Sequence, residues 1–180
     1  MKKFFMLAFA VALFATACND DAKVDATVSS DADSTKMTQE DKEERNKKTA
    51  LASVEAIASH DANNVLKDIS PDAVDYGDGS MPPSKGADSI KAGIQSFMNA
   101  FPDYKGENLQ AVADGDWVYV YGDWSGTFKN DLMGIKATGK SFKLKDVDIF
   151  KFNDEGKMTE HRAIIPWSVI MMQVGAKMPK

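Results

Sequence analysis

Asp146, Asp148 and Arg162 are the residues whose types and spacing could do chemistry. The two acids stand two positions apart in the stretch 141–152, SFKLKDVDIFKF, so on an extended chain they share a face. That face also carries Phe142, Leu144, Phe150 and Phe152, while Lys143, Lys145, Val147, Ile149 and Lys151 occupy the other. The face with four large apolar residues is expected to point to the core and to take both aspartates with it. A carboxylate in apolar surroundings is costly unless it is paired or lines a wet cavity. The pattern therefore predicts a polar spot inside a mostly apolar pocket. On the final strand, Met158, Glu160, Arg162 and Ile164 share a parity. With Met158 and Ile164 facing inward, Arg162 would arrive beside the aspartates and keep them ionised. Asp148 would then serve as base, assisted by Asp146, and Arg162 as anion stabiliser toward a carbonyl compound. The plainer alternative is an ion pair that plugs the interior.

Other candidates are weaker. Asp75 and Tyr76 lie near the expected mouth of the pocket, where Tyr76 could donate a hydrogen bond to a ligand or serve as half-buried packing. Trp124, Phe150, Glu160 and Phe97 are the remaining expected ligand contacts. His60 closes the first helix, where a cation suits the helix dipole. His161 shares parity with Thr159 and Ala163 and is expected to face away from the pocket. Two histidines so far apart, with no ligand spacing, do not argue a metal site, and no cofactor is expected.

The elements that must position these residues follow from periodicity and breakers. Thr38-Gln39-Glu40-Asp41 reads as a capping box ahead of a helix with Leu51, Val54, Ile57 and Ala58 on one stripe. Asp61 is expected to cap a short second helix carrying Val65, Leu66 and Ile69, stopped by Pro71. Ala73–Tyr76 reads as a short strand and Gly77–Lys85 as a loop. Gly86 opens a third helix with Ile90, Ile94, Phe97, Met98 and Phe101 on one face. Strands follow at Tyr104–Ala113, Trp117–Phe128, Ser141–Phe152 and Lys157–Ile165, and a short helix at Pro166–Val174. Helices first and antiparallel strands after them predict an α+β fold: a curved, mostly antiparallel sheet packed on three helices, plus a short C-terminal helix. Trp117-Val118-Tyr119-Val120-Tyr121 is apolar on both faces. One face needs the helices, and a second subunit is the natural cover for the other, joined by Val147 and Ile149. A homodimer is therefore expected.

The ends of the chain carry their own information. The 180 residues are 43% hydrophobic and 27% charged, with a net charge of −5, which argues against a nucleic-acid partner. Lys2 and Lys3, an apolar run from Phe4 to Phe14, and Ala15-Thr16-Ala17-Cys18 resemble a bacterial lipoprotein signal. Cys18 is the only cysteine, so no disulfide forms within the chain, and a lipid thioether at that position is expected. Residues 1–17 would be the signal peptide and 18–38 a disordered acidic tether spanning roughly 25 Å. Residues 39–177 would be the folded domain, lipid-anchored at the bacterial cell envelope on the outer membrane, either periplasmic or surface-exposed.

Phe101-Pro102-Asp103, Gly115-Asp116, Ser125-Gly126-Thr127, Gly134-Ile135 with Thr138-Gly139, Gly156-Lys157-Met158 with Glu160, and Gln173-Val174-Gly175 occur in that order. The set resembles the SnoaL-like polyketide cyclases of the NTF2-like superfamily, over about 47–175. The resemblance implies a cone of helices and curved sheet, often dimeric, with a small molecule inside. It implies three readings: a binding protein for a small, partly apolar molecule, a cyclase, isomerase or hydrolase acting on a carbonyl or epoxide, or an interaction module with a filled cone. The family's catalytic aspartate falls at Pro166, a family tryptophan at Arg162, and a family histidine at Tyr76, so the family's base does not carry over. The limonene-type epoxide hydrolases of the same superfamily use an Asp–Arg–Asp set, which Asp146, Arg162 and Asp148 could imitate.

Overall fold

A computed structural model describes residues 37–177. The leader, Cys18 and nearly all of the tether lie outside the described residues. Helix α1 (Gln39–Ala56) begins at the expected capping box: Thr38 Oγ1 accepts from the Asp41 N–H at 3.1 Å, and the Asp41 carboxylate accepts from the Thr38 N–H at 3.2 Å. A 3₁₀ turn (Ile57–Ser59) extends it to His60, which stops the helix in the left-handed region at φ 55°. Asp61 caps the short α2 (Ala62–Val65) by accepting from the Asn63 N–H at 2.9 Å.

The chain departs from expectation at Ile69. That residue starts β1 (Ile69–Asp75) instead of ending a helix, and Pro71 sits within the strand. The register of β1 against its neighbour shifts between Ile69 and Val74, so Pro71 lies in an irregular stretch that tolerates a residue without an N–H. Within the expected loop, β2 (Ser84–Lys85) folds back on Val74 and Asp75. Helix α3 (Ala87–Ala100) follows Gly86, then β3 (Lys105–Asp114), β4 (Trp117–Thr127), β5 (Ser141–Phe152), β6 (Met158–Ala163) and α4 (Trp167–Gln173). The strand order is β2-β1-β6-β5-β4-β3, with only β1 and β6 parallel. Helix α1 packs on β3 and β4, α3 on β1 and β2, and α4 on β5. The fold is the mixed α+β arrangement expected, a curved open sheet with helices on its inner face.

The β4–β5 ladder runs without a break from Trp117↔Lys151 to Thr127↔Ser141. The period-two reading of β5 therefore holds: Phe142, Phe150 and Phe152 are buried and Lys143 and Lys145 are exposed. The β5–β6 ladder does break. Ala163, Arg162, His161 and Glu160 pair with Asp148, Ile149, Phe150 and Lys151 in turn, but the next pair is Phe152↔Met158, leaving Thr159 as an extra residue. Such a bulge reverses the facing of everything beyond it. Met158 faces inward as expected, yet so do His161 and Ala163, which pair with the inward residues Phe150 and Asp148. Arg162 pairs with the outward Ile149, and Ile164 is 56% exposed. The expectation that Arg162 enters the cone is corrected, and so is the expectation that His161 faces away.

Candidate functional site

The interior divides in two. At one end Phe101, Phe128, Phe142 and Trp124 are fully or almost fully buried. Phe101 stacks on Phe128 at 5.1 Å and meets Phe142 edge-on at 5.6 Å, and Tyr104 stacks on Trp124 at 5.6 Å. At the other end lies a cavity of about 760 Å³, so the cone is not filled by its own side chains. Its helical wall is the apolar face of α3, Ile90, Ile94, Phe97 and Met98, continued by Val54 and Val65. The sheet supplies Asp146, Asp148, Phe150 and His161, and the end of β1 supplies Asp75. Met81 and Met133, 50% and 70% exposed, lie at the rim.

His161 is the centre of the polar wall. Its Nδ1 lies 2.9 Å from Asp75 Oδ1 and its Nε2 3.2 Å from Asp148 Oδ1. Burial alone would push this imidazole down, but the hydrogen bonds and charges of the two carboxylates outweigh it and raise its pKa to about 10. His161 is thus an imidazolium at neutral pH, with both N–H groups donating. Burial pushes Asp75 up, and the imidazolium and the Gly77 N–H at 2.8 Å overcome it, so its carboxyl titrates below the usual value. Asp75 holds His161, and His161 holds one oxygen of Asp148.

Asp146 is anchored differently. Its Oδ1 accepts from the N–H groups of Val147 at 2.7 Å, Ile165 at 2.9 Å and Ile164 at 3.2 Å. This carboxylate pins the turn that leaves β6. Burial raises its pKa, the Asp148 charge adds to the rise, and the three backbone donors oppose it only in part. The same two charges, added to burial, push the Tyr104 phenol well above its usual value, so that group stays a neutral hydroxyl.

The residues expected at the site separate into two groups. Asp146, Asp148, Phe150 and Phe97 line the cavity. Glu160 borders it but turns its carboxylate to Lys151 at 3.3 Å and Arg162 at 2.8 Å. Arg162 lies over the Tyr76 ring, 4.0 Å from its centroid, on the other side of the sheet from Asp148. Asp75 takes the inward place on β1, and Tyr76, one residue later, turns outward away from the cavity lining. Trp124 belongs to the aromatic end and does not reach the cavity. No Asp–Arg–Asp set is assembled. His161 was missed because parity was counted forward from Met158 across the bulge, and at the end of β1 the ligand contact was assigned to Tyr76 where its neighbour Asp75 is the residue that faces inward. Counting back from Trp167 through Ile165 and Ala163, which all line the cavity, puts His161 inside. Among the described residues no group of three or more His, Cys, Asp or Glu is arranged to hold a metal ion.

Residues 47–174 match the family model of the SnoaL-like polyketide cyclases. Solved structures agree on the fold. A protein of Jannaschia sp. CCS1 assigned as a SnoaL-like polyketide cyclase superposes with a TM-score of 0.67 at 18% identity, covering 76% of this chain and 95% of that one. AclR of Streptomyces galilaeus, assigned as a hydroxylase, reaches 0.61 at 28% identity, over 76% of this chain and 88% of that one. IdmH of Streptomyces antibioticus, assigned as a polyketide cyclase, reaches 0.58 at 27% identity, over 72% of this chain and 98% of that one. No curated protein matches this sequence at a significant level. With the family model covering most of the folded residues and the cone fold in place, the chain belongs to the SnoaL-like polyketide cyclase family.

Proposed function

We propose that the domain binds a small, largely apolar molecule in its cavity, with the molecule's polar group against Asp146 and Asp148. The observation that carries this reading is the cavity itself: about 760 Å³ of mostly apolar space with its ionisable groups gathered on one wall. A filled cone would leave no such volume. A thermal-shift screen of metabolites against the purified chain tests it, since a ligand bound to the folded state raises the melting temperature by mass action. Ligands that stabilise the wild type and not a variant with the cavity blocked, Ile94→Trp, support the reading. Equal shifts for both proteins sink it.

A second reading is proton transfer at a carbonyl or related substrate. The Asp75–His161–Asp148 chain favours it, because it fixes one oxygen of Asp148, a residue that lines the cavity, and leaves the other with no bonded donor among the described residues. Asp148→Asn separates the two: a catalyst loses turnover by orders of magnitude with affinity kept, whereas a binder shows only a change in affinity.

Two expectations from the sequence complete the proposal. Lipidation of Cys18 would hold the domain at the bacterial cell envelope; labelling with an alkyne fatty acid, abolished by Cys18→Ser, is the check. Pairing of two copies would use the outer sheet face, where Val112, Tyr119 and Ile149 stand in register, as do Tyr121 and Val147. Val112 is 65% exposed there. Light scattering of Tyr119→Lys against wild type tests it, a halved mass being the expected result and a monomeric wild type the refutation.

A further inference from the structure

We infer that the molecule this cavity accepts is a cation: a small, largely apolar amine whose ammonium group sits against Asp146 and Asp148. The inference rests on the reading of the cavity as a ligand site and adds the chemical class of the ligand.

Charge is the first support. The ionisable side chains along the cavity are Asp75, Asp78, Asp146, Asp148, Glu160 and His161, and among the described residues no lysine or arginine lines it. Glu160 is matched by Lys151 and Arg162 on the outer side. Asp78 is held by the Ser80 N–H at 2.8 Å and by the Trp167 N–H. The single positive charge of His161 is shared between Asp75 and Asp148. Asp146 has backbone donors and no cation. The wall therefore carries surplus negative charge next to apolar surface, where poor screening makes a charge partner count for more than it would in water. An anionic ligand would be repelled there.

The hydrogen-bond inventory is the second support and is independent of charge. Both His161 nitrogens are committed to carboxylates. The Ser53 and Ser96 hydroxyls donate to the Val65 and Ala92 carbonyls. Among the described residues no donor is bonded to Oδ2 of Asp146 or Oδ2 of Asp148. The wall around Asp146, Asp148 and His161 thus offers acceptors and no uncommitted side-chain donor, the Ser84 hydroxyl and the Trp167 indole N–H being the donors elsewhere along the cavity among the described residues. A carbonyl or carboxylate placed beside the two aspartates would find little to bond to. An ammonium brings several donors and the missing positive charge together, and charge-assisted bonds of this kind are the stronger ones. The α3 face and Phe150 leave the rest of the ligand in hydrocarbon surroundings, which selects an apolar body.

Calorimetry of the purified chain with three probes of one shape tests the inference: 1-naphthylmethylamine, 1-naphthalenemethanol and 1-naphthoate. The amine should bind about tenfold or more tighter than the alcohol, with the carboxylate weakest. Asp146→Asn and Asp148→Asn each keep the carbonyl oxygen and remove the charge. Each should weaken the amine more than the alcohol and so shrink the amine's advantage, while unchanged binding of the neutral dye Nile red reports an intact cavity. In the unmutated chain, added sodium chloride should weaken the amine more than the alcohol. An alcohol that binds as tightly as the amine, or a salt dependence equal for both, overturns the inference and leaves the cavity as a ligand site. If none of the three binds, and the neutral dye Nile red does not bind either, the ligand-site reading falls and takes this one with it.

Discussion

The aromatic end of the sheet's inner face and the end around His161 are built on the same strands, yet one is filled and the other hollow. Strand β5 passes through both. Phe142 enters the aromatic end, where Phe101 lies 5.0 Å from Phe97, 5.1 Å from Phe128 and 5.6 Å from Phe142, measured between ring centroids. A few residues on, Asp146 and Asp148 face the cavity. The difference has a physical cause. Hydrocarbon packed on an ionised carboxylate would strip its water without supplying a partner, at a cost that ordinary packing does not recover. Acids on the inner face keep that end open, and Gly106, paired with Trp124 across the β3–β4 ladder, leaves room for the indole ring at the other.

The largest contrast to break is in packing. Phe101→Ala, at a residue with no exposed surface, should cost about 3–5 kcal/mol in a denaturant titration, because its neighbours form a rigid ring cluster that cannot collapse into the gap. Phe150→Ala should fall at the low end of that range, about 3 kcal/mol, since its ring already borders empty space. Equal losses would mean that the cavity is not open in solution. Gly106→Ala should come next. A Cβ at Gly106 would lie 2.7 Å from the ring of Trp124, which is itself buried and stacked on Tyr104, so a loss of about 1–3 kcal/mol is expected.

The hollow end should betray itself by pH. His161 has a pKa of about 10 in the fold against 6.5 for the unperturbed group. The folded chain holds this proton more tightly than the unfolded chain, so the stabilisation is complete below about pH 6.5 and drains away as pH climbs toward 10. Asp75 works on the acid side: its lowered pKa stabilises the fold above its unfolded value and is lost as pH falls through the folded one. Urea midpoints at pH 6, 8 and 9.5 should therefore decline for the wild type. They should decline much less for His161→Gln, which keeps a donor but no titrating ring. Parallel slopes would mean that the two carboxylates do not grip the imidazole.

The same comparison shows what could be read in advance. The filled end was legible because β4 and β5 pair without interruption, and an unbroken ladder keeps period two in phase from Phe142 to Phe152. The aspartates were placed correctly by that phase alone. Their partners were not, because one extra residue at Thr159 shifts β6 by one place. A strand of six residues with a single strongly apolar residue, Met158, cannot fix its own phase. Asp75 was placed on a strand near the mouth, but its role was given to Tyr76: Pro71 suggested the end of a helix, β1 begins two residues before it, and a strand so shortened did not reveal which of the two residues faces inward. Pairwise spacing found each acid's face, whereas the meeting of β1, β5 and β6 at one histidine depends on two register shifts that no local pattern announces.

Glycine gives the finest version of the contrast. Gly93 lies within α3 and lines the cavity, and a Cβ built on it would find no atom within 4 Å. Its backbone is helical, so alanine fits there without strain and lowers the entropy the chain loses on folding. Gly93→Ala should therefore stabilise the domain by about 0.5–1 kcal/mol, read as a higher denaturation midpoint. The identical change at Gly106 should lower the midpoint. Opposite signs would follow from one methyl group meeting open space on α3 and an indole ring on β4. A loss at Gly93 would mean that the wall of α3 closes down on the acids in solution, and the hollow end would then be no different in kind from the filled one.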